Sequence, residues 1–249
     1  MRNVRSTDPW VVYPKPNPRA GARLFCFPYA GGGPSVYRPW AESLPPGVEL
    51  ACVQYPGRGS RLKEPPLAKL MPLVEGLVPA LPAHLDRPFA FFGHSMGAVI
   101  AFELARRLPR EPFHLFVSGR EAPTAPGKEL HTYALPEQEF IEELQRLGGT
   151  PLEALAHPEL MQLMLPMLRA DFEAIQTYDY EPGPPLSCPI TAFGGLEDQD
   201  VTPQQLEAWR EQTVGRFVAH MLPGDHFFLH TAQAQLLEIV SAELRRGAL

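Results

Sequence analysis

Residues 89–105 read FAFFGHSMGAVIAFELA, and the change of pattern at their centre decides the fold. An apolar run of strand length ends in Gly93-His94-Ser95-Met96-Gly97 and passes directly into an amphipathic stretch of helical length. Glycines on both sides of Ser95 suit a strained strand-to-helix turn, because a side chain at 93 or 97 would run into the adjoining strand and helix. Such a turn holds the serine hydroxyl at the edge of the sheet. It also leaves the Met96 amide at a helix N-terminus, ready to stabilise an oxyanion. A bare G-x-S-x-G also arises as an incidental glycine-rich turn. The strand-turn-helix setting is what makes Ser95 a candidate nucleophile.

Working outward, further apolar runs of strand length lie at 22–27 (ARLFCF), 48–53 (VELACV), 114–119 (HLFVSG), 189–194 (PITAFG) and 216–222 (RFVAHML). Helical stretches alternate with them: SVYRPWAESL, LAKLMPLVEGLVPALPAHL, QQLEAWREQT and FFLHTAQAQLLEIVSAELRR. Alternation of this kind predicts an α/β fold with a mostly parallel sheet covered on both faces. WVVY, near the start, is a candidate edge strand weakened by its prolines. Residues 120–188 break the rhythm: they hold LPEQEFIEELQRL and HPELMQLMLPMLRADFEAIQTY but no convincing strand. A helical insertion in one α/β domain spanning 1–249 is the natural reading; two ordinary helices packed on the sheet are the alternative.

Composition narrows the function classes. The chain has 249 residues, 45% of them hydrophobic, enough for one large domain with a buried core. Its 20 glycines and 30 prolines are about a fifth of the residues, below the roughly 25–30% of low-complexity disorder. A formal net charge of −6 works against general nucleic-acid binding. No apolar run approaches the roughly 18 residues of a membrane helix. A soluble, cytoplasmic protein is therefore expected, and a monomer is the working expectation. Cys26, Cys52 and Cys188 are odd in number and widely spaced, which fits reduced core residues better than a disulfide or zinc framework.

A nucleophilic serine needs a base and an acid, which in hydrolases of this kind follow in the order Ser, acid, His. The segment after 216–222 carries Pro223-Gly224-Asp225-His226, which puts His226 on a loop at a strand end and makes it the candidate base. His94, His220 and His230 are weaker candidates: one only neighbours the serine, one lies inside a strand run, and one lies in the final helix. The segment after 189–194 reads Gly195-Leu196-Glu197-Asp198-Gln199-Asp200-Val201. Asp198 is the favoured acid, since the chain can turn at Gly195 and anchor again at Val201. Asp200 and Glu121 remain rivals. After 22–27 the chain runs into Pro28-Tyr29-Ala30-Gly31-Gly32-Gly33, where the Ala30 amide is the candidate second oxyanion donor, bordered by Tyr29 and Gly31. No Gly-Lys-Ser/Thr follows to make this a phosphate loop. No ligand cluster for a metal is visible, and no cofactor is expected.

Taken in order, FCFPYAGGG, VQYPGRGSR, FGHSMGAVIAFELARRL, SGREAP, FGGLEDQDV and PGDHFFLH resemble the type II thioesterases that accompany polyketide synthases and non-ribosomal peptide synthetases. The resemblance spans about residues 22–235. It implies an α/β-hydrolase fold with a helical lid between the family's sixth and seventh strands, which falls here on 120–188. It also implies a catalytic triad at Ser95, Asp198 and His226, with oxyanion amides at Ala30 and Met96. The implied partners are acyl or peptidyl carrier domains, from whose phosphopantetheine arm stalled or misprimed acyl groups are hydrolysed. A carboxylesterase, lipase or acyltransferase would use the same triad. Within the lid, Leu160, Met161, Met164, Leu165 and Met167 are candidates to face the acyl group, the alternative being packing between lid and body. Arg58, Arg61 and Lys63 form either a carrier-docking patch or a solvated loop.

Overall fold

The computed structural model describes residues 8–125, 131–150, 152–155 and 157–247. Residues 126–130, inside the expected insertion, lie outside that set. Seven strands form one sheet: β1 (Val11–Val12), β2 (Ala22–Phe27), β3 (Val48–Val53), β4 (Phe89–His94), β5 (Leu115–Ser118), β6 (Ile190–Gly195) and β7 (Phe217–Leu222). Their spatial order is β1-β3-β2-β4-β5-β6-β7. Only β1 runs antiparallel, pairing Val11 with Val53 at the edge, which is where WVVY was expected.

Both faces of the sheet are dry, and the period-2 alternation of the strands divides their side chains between two cores. Phe25, Phe27, Phe89 and Phe91 point to one side; Leu24, Cys26, Ala90 and Phe92 point to the other. The first side is covered by α1 (Leu70–Ala80) and α2 (Met96–Ala105). Every residue of α2 is buried, so this helix is not amphipathic as expected but enclosed all round. Its single acid, Glu103, is paired with Arg106 and Arg107. All three cysteines are free and buried.

The stretch between β5 and β6 holds α3 (Glu137–Leu147), α4 (Leu152–Leu155) and α5 (Pro158–Gln176). In this chain's own count, which includes β1, the interval follows the fifth strand. Phe140, Leu144, Met161, Leu165 and Leu168 give these helices a small core of their own. The remaining helices are α6 (Pro203–Glu207), α7 (Phe228–Thr231) and α8 (Gln233–Gly247). Two expected helices are altered. SVYRPWAESL forms two 3-10 turns, Pro34–Val36 and Arg38–Glu42, because Pro39 has no amide to donate and interrupts an α-ladder. The final helix is broken at Ala232. Among the described residues no helix is long and apolar enough to cross a membrane.

The strand order locates the site. From β2 the chain moves outward to β3, then crosses back over β2 to form β4 on its other side. The carboxyl ends of β2 and β4 therefore flank the point where the winding reverses, which is where open α/β sheets bind ligands. The loops at those two ends are 28–33 and the turn at Ser95.

Candidate active site

Ser95 has φ 53° and ψ −118°, and among the described residues it is the one non-glycine with positive φ. A backbone in so sparsely populated a region costs about 1–3 kcal/mol and persists only where its surroundings over-determine it. Here they do. The Ser95 amide donates to the Ser118 carbonyl of β5 at 2.7 Å, and its carbonyl accepts from the Ala98 amide at 3.0 Å. A Cβ at Gly93 would stand 2.1 Å from the Gly97 carbonyl oxygen, and one at Gly97 2.0 Å from the Phe27 carbonyl oxygen. Both glycines are thus required by backbone on backbone contact. As the first residue of α2, Met96 has an amide with no acceptor inside the helix.

The loops after β6 and β7 press together equally closely. A Cβ at Gly195 would lie 2.3 Å from the Asp225 carbonyl oxygen, and the Glu197 amide donates to the Gly224 carbonyl at 3.0 Å. This contact brings Asp198 to His226, whose Nδ1 hydrogen-bonds to Asp198 Oδ2 at 2.8 Å. With a carboxylate as acceptor, Nδ1 carries the proton and Nε2 of the neutral ring is left with a free lone pair. Asp198 Oδ1 accepts the amides of Asp200 at 2.8 Å and Val201 at 3.3 Å. Burial alone would raise the Asp198 pKa. The hydrogen bond and charge of His226, with the two amides, outweigh it and hold the carboxyl below its usual value.

The rival acids line the same cavity but are paired with arginines: Glu121 with Arg120 at 3.0 Å, and Asp200, whose amide supports Asp198, with Arg146 at 3.5 Å. His94 is buried behind the serine, with Nδ1 2.9 Å from Ser118 Oγ. Burial, followed by the neighbouring His226 and His230, drives its pKa well down, so it stays neutral and puts no second cation beside His226. His230 hydrogen-bonds to the Tyr29 hydroxyl at 3.2 Å, and burial pushes that hydroxyl up to about 12. His220 lies on β7 with its ring stacked on Phe193.

Ser95, Ala30, Tyr29 and His226 line one cavity of about 410 Å³, a size suited to a small organic group. Opposite this floor, α3 and α5 cover the cavity with Leu144, Leu147, Phe172 and Ile175, alongside Glu143, Arg146 and Gln176. A thioesterase-domain family profile matches residues 22–244. The chain belongs to the thioesterase family. It is 45% identical over 249 residues to the gramicidin S biosynthesis protein GrsT of Aneurinibacillus migulanus, covering 98% of this chain and 97% of that protein. It is 39% identical to the thioesterase PikA5 of Streptomyces venezuelae, covering 96% of this chain and 87% of that one. The structure of the type II thioesterase BorB from the borrelidin biosynthetic cluster superposes with a TM-score of 0.89 at 40% identity, covering 95% of this chain and 98% of that one. The fold is accordingly that of the α/β-hydrolase thioesterases, and the protein is a hydrolase.

In this thioesterase the expected acyl-facing residues of α5 are displaced along the helix. Met161 and Leu165 pack into the helices' own core, and Met164 lines a separate outer groove with Leu160, Leu163 and Met167. The cavity wall is built instead by Phe172 and Ile175. The stripe 161, 165, 168, 172 keeps helical spacing, so the face was legible and the length along it was not. Gly31 likewise does not border the cavity. It lines the outer groove, and its amide donates to Asp171 Oδ2 at 2.7 Å. Arg58 and Arg61 are neither solvated nor available for docking, being 7% and 6% exposed. Arg58 is paired with Asp171, and Arg61 lies over the Trp10 ring and bonds to Glu64; of the three expected cations only Lys63 is exposed.

Proposed function

We propose that this thioesterase removes stalled or misprimed acyl groups from the phosphopantetheine thiol of carrier domains in polyketide or non-ribosomal peptide assembly, with the interval 120–188 as its lid. The observation that carries the reading is that His226, which lines the cavity together with Ser95, is paired behind with Asp198. In the proposed reaction His226 Nε2 takes the Ser95 proton as Oγ attacks the thioester carbonyl. The amides of Ala30 and Met96 hold the oxygen as it becomes negative, an interaction that strengthens only on the way to the transition state. The C–S bond then breaks and the imidazolium returns the proton to the departing sulfur. Asp198, kept ionised, stabilises that imidazolium. In the second half a water gives a proton to His226 as it attacks the acyl-serine ester; the bond from the acyl carbon to Ser95 Oγ then breaks, the imidazolium returns the proton to Oγ, and a carboxylic acid is released. The chain and water supply every group these steps use, so the proposal calls for no cofactor.

The relatives support this reading, since GrsT is named for gramicidin S biosynthesis, PikA5 as a thioesterase, and BorB as a type II thioesterase of a biosynthetic cluster. The test presents one acyl group on a carrier protein, as a simple thioester and as an oxygen ester. A higher kcat/KM for the carrier-bound form is expected. A preference for free long-chain oxygen esters would place the protein among the lipases.

A further inference from the structure

The Ala30 amide sits in a turn that is clamped from outside the active site. The Gly32 amide donates to the Tyr29 carbonyl at 2.9 Å, and Gly31 between them has φ 80°, as a type II turn requires. In a trans peptide the carbonyl and the amide point in opposite directions. With the Tyr29 carbonyl turned toward Gly32, the Ala30 N–H on the same peptide is turned the other way. Three further polar groups in and beside the turn are held by side chains. Tyr55 donates its hydroxyl to the Pro28 carbonyl at 3.2 Å, and Arg58 Nη1 donates to the Gly32 carbonyl at 2.9 Å. The Gly31 amide is held by Asp171.

Asp171 comes from α5, 140 residues away in sequence, and is 1% exposed. Its Oδ2 accepts both the Gly31 amide and Arg58 Nη1 at 2.7 Å, and its Oδ1 accepts Arg58 Nη2 at 2.6 Å. One turn earlier on α5, Leu168 lies against Gly31 so closely that a Cβ there would be 2.5 Å from its Cδ2. The next residue, Phe172, forms part of the cavity wall. A buried ion pair of this kind is weak evidence for stability, since apolar replacements of similar volume are often neutral. Its geometry serves another end.

We infer that Asp171, seated by Arg58, is a positioning residue for the oxyanion turn, tying the orientation of the Ala30 amide to the place of α5 over the cavity. The inference rests on the proposed reaction, and it makes transition-state stabilisation depend on a residue that never meets the substrate. Asp171 holds the 30–31 peptide in the orientation that the turn needs. A shift of α5 through Phe172 would release it.

Two variants test this together: Arg58→Met/Asp171→Leu, which removes both charges and the acceptor, and Asp171→Asn. Each is compared with the parent for kcat and KM on one acyl thioester, for thermal unfolding, and for affinity toward an alkylboronic acid, whose tetrahedral adduct on Ser95 places an oxygen in the oxyanion site. The double variant is expected to fold, to lose on the order of 10²-fold in kcat at unchanged KM, and to lose boronate affinity in parallel. Asp171→Asn is expected to show the same pattern at about tenfold, and it decides the matter if the double variant does not fold. Parent-like kcat and boronate affinity in whichever variant folds would overturn the inference, as would a defect confined to KM. Absence of Ser95-dependent thioester hydrolysis in the parent would instead count against the proposed function.

Discussion

The floor of the cavity and its cover are held in different ways. Ser95, Asp198 and His226 stand on loops that meet backbone to backbone at glycines 93, 97 and 195, where no other residue fits. The cover formed by α3, α4 and α5 rests on the floor by side chains. At the α3 edge these are the contact of Gly149 with the Phe227 ring and the Arg146–Asp200 pair, whose side chains are 48% and 29% exposed. Such a pair is worth roughly 0–1 kcal/mol. At the α5 edge the contacts are the buried Arg58–Asp171 pair, Leu168 against Gly31, and Ala174 and Ile175, which join the core beneath the sheet's covering helices. The contrast predicts that the floor carries the chemistry and the cover the choice of acyl group.

The floor should fail as a unit. Ser95→Ala and His226→Ala are each expected to cost on the order of 10⁶ in kcat for every acyl group, with the double variant little worse. Thiol release from a thioester, followed with a chromogenic thiol reagent, measures this; additive losses would break the unit apart. Asp198→Asn should cost roughly 10⁴, because His226 loses the partner that fixes its tautomer. Asp200→Asn and Glu121→Gln should stay near the parent. A large defect in Glu121→Gln would transfer the acid to the end of β5.

Acid should also destabilise the body of the fold through its buried histidines. His94 and His114 are buried and neutral, burial being the chief cause; His114 is lowered to about 4 and His94 well below its usual value. Between pH of about 6.5 and 4 the unfolded chain therefore binds more protons than the folded one, so stability is present above that window and is lost as pH falls through it. For His114 alone the loss is on the order of 3 kcal/mol. Urea unfolding across this range should show the slope, and His114→Gln should flatten it; an unchanged slope would remove His114 from the account.

The same division describes what the sequence discloses. Glycines 93 and 97 announce the turn because local backbone geometry demands them, and Asp198 and His226 announce themselves by following strands directly. The strands at 22–27 and 89–94 are legible because both faces are buried, which leaves Phe, Leu, Cys or Ala at most positions. Arg58 is not legible: it reads as a solvated loop cation because its partner Asp171 lies 113 residues away. Gly31 reads as a residue kept bare for a substrate, whereas the close neighbour is Leu168 of the cover. On α5 helical periodicity gives the face but not the turn that reaches the cavity, which depends on how α5 is seated on loop 28–33.

The division between floor and cover is tested most directly by kcat/KM for a graded series of acyl thioesters in two variants, Asp198→Asn and Phe172→Ala. Asp198→Asn is expected to lower every member by the same factor, leaving the order of preference intact. Phe172→Ala should leave the shortest acyl group within a few-fold of the parent while shifting the ratio of long to short by about tenfold, the effect of reshaping an apolar pocket. Reordered preferences in Asp198→Asn, together with a uniform loss in Phe172→Ala, would contradict the account.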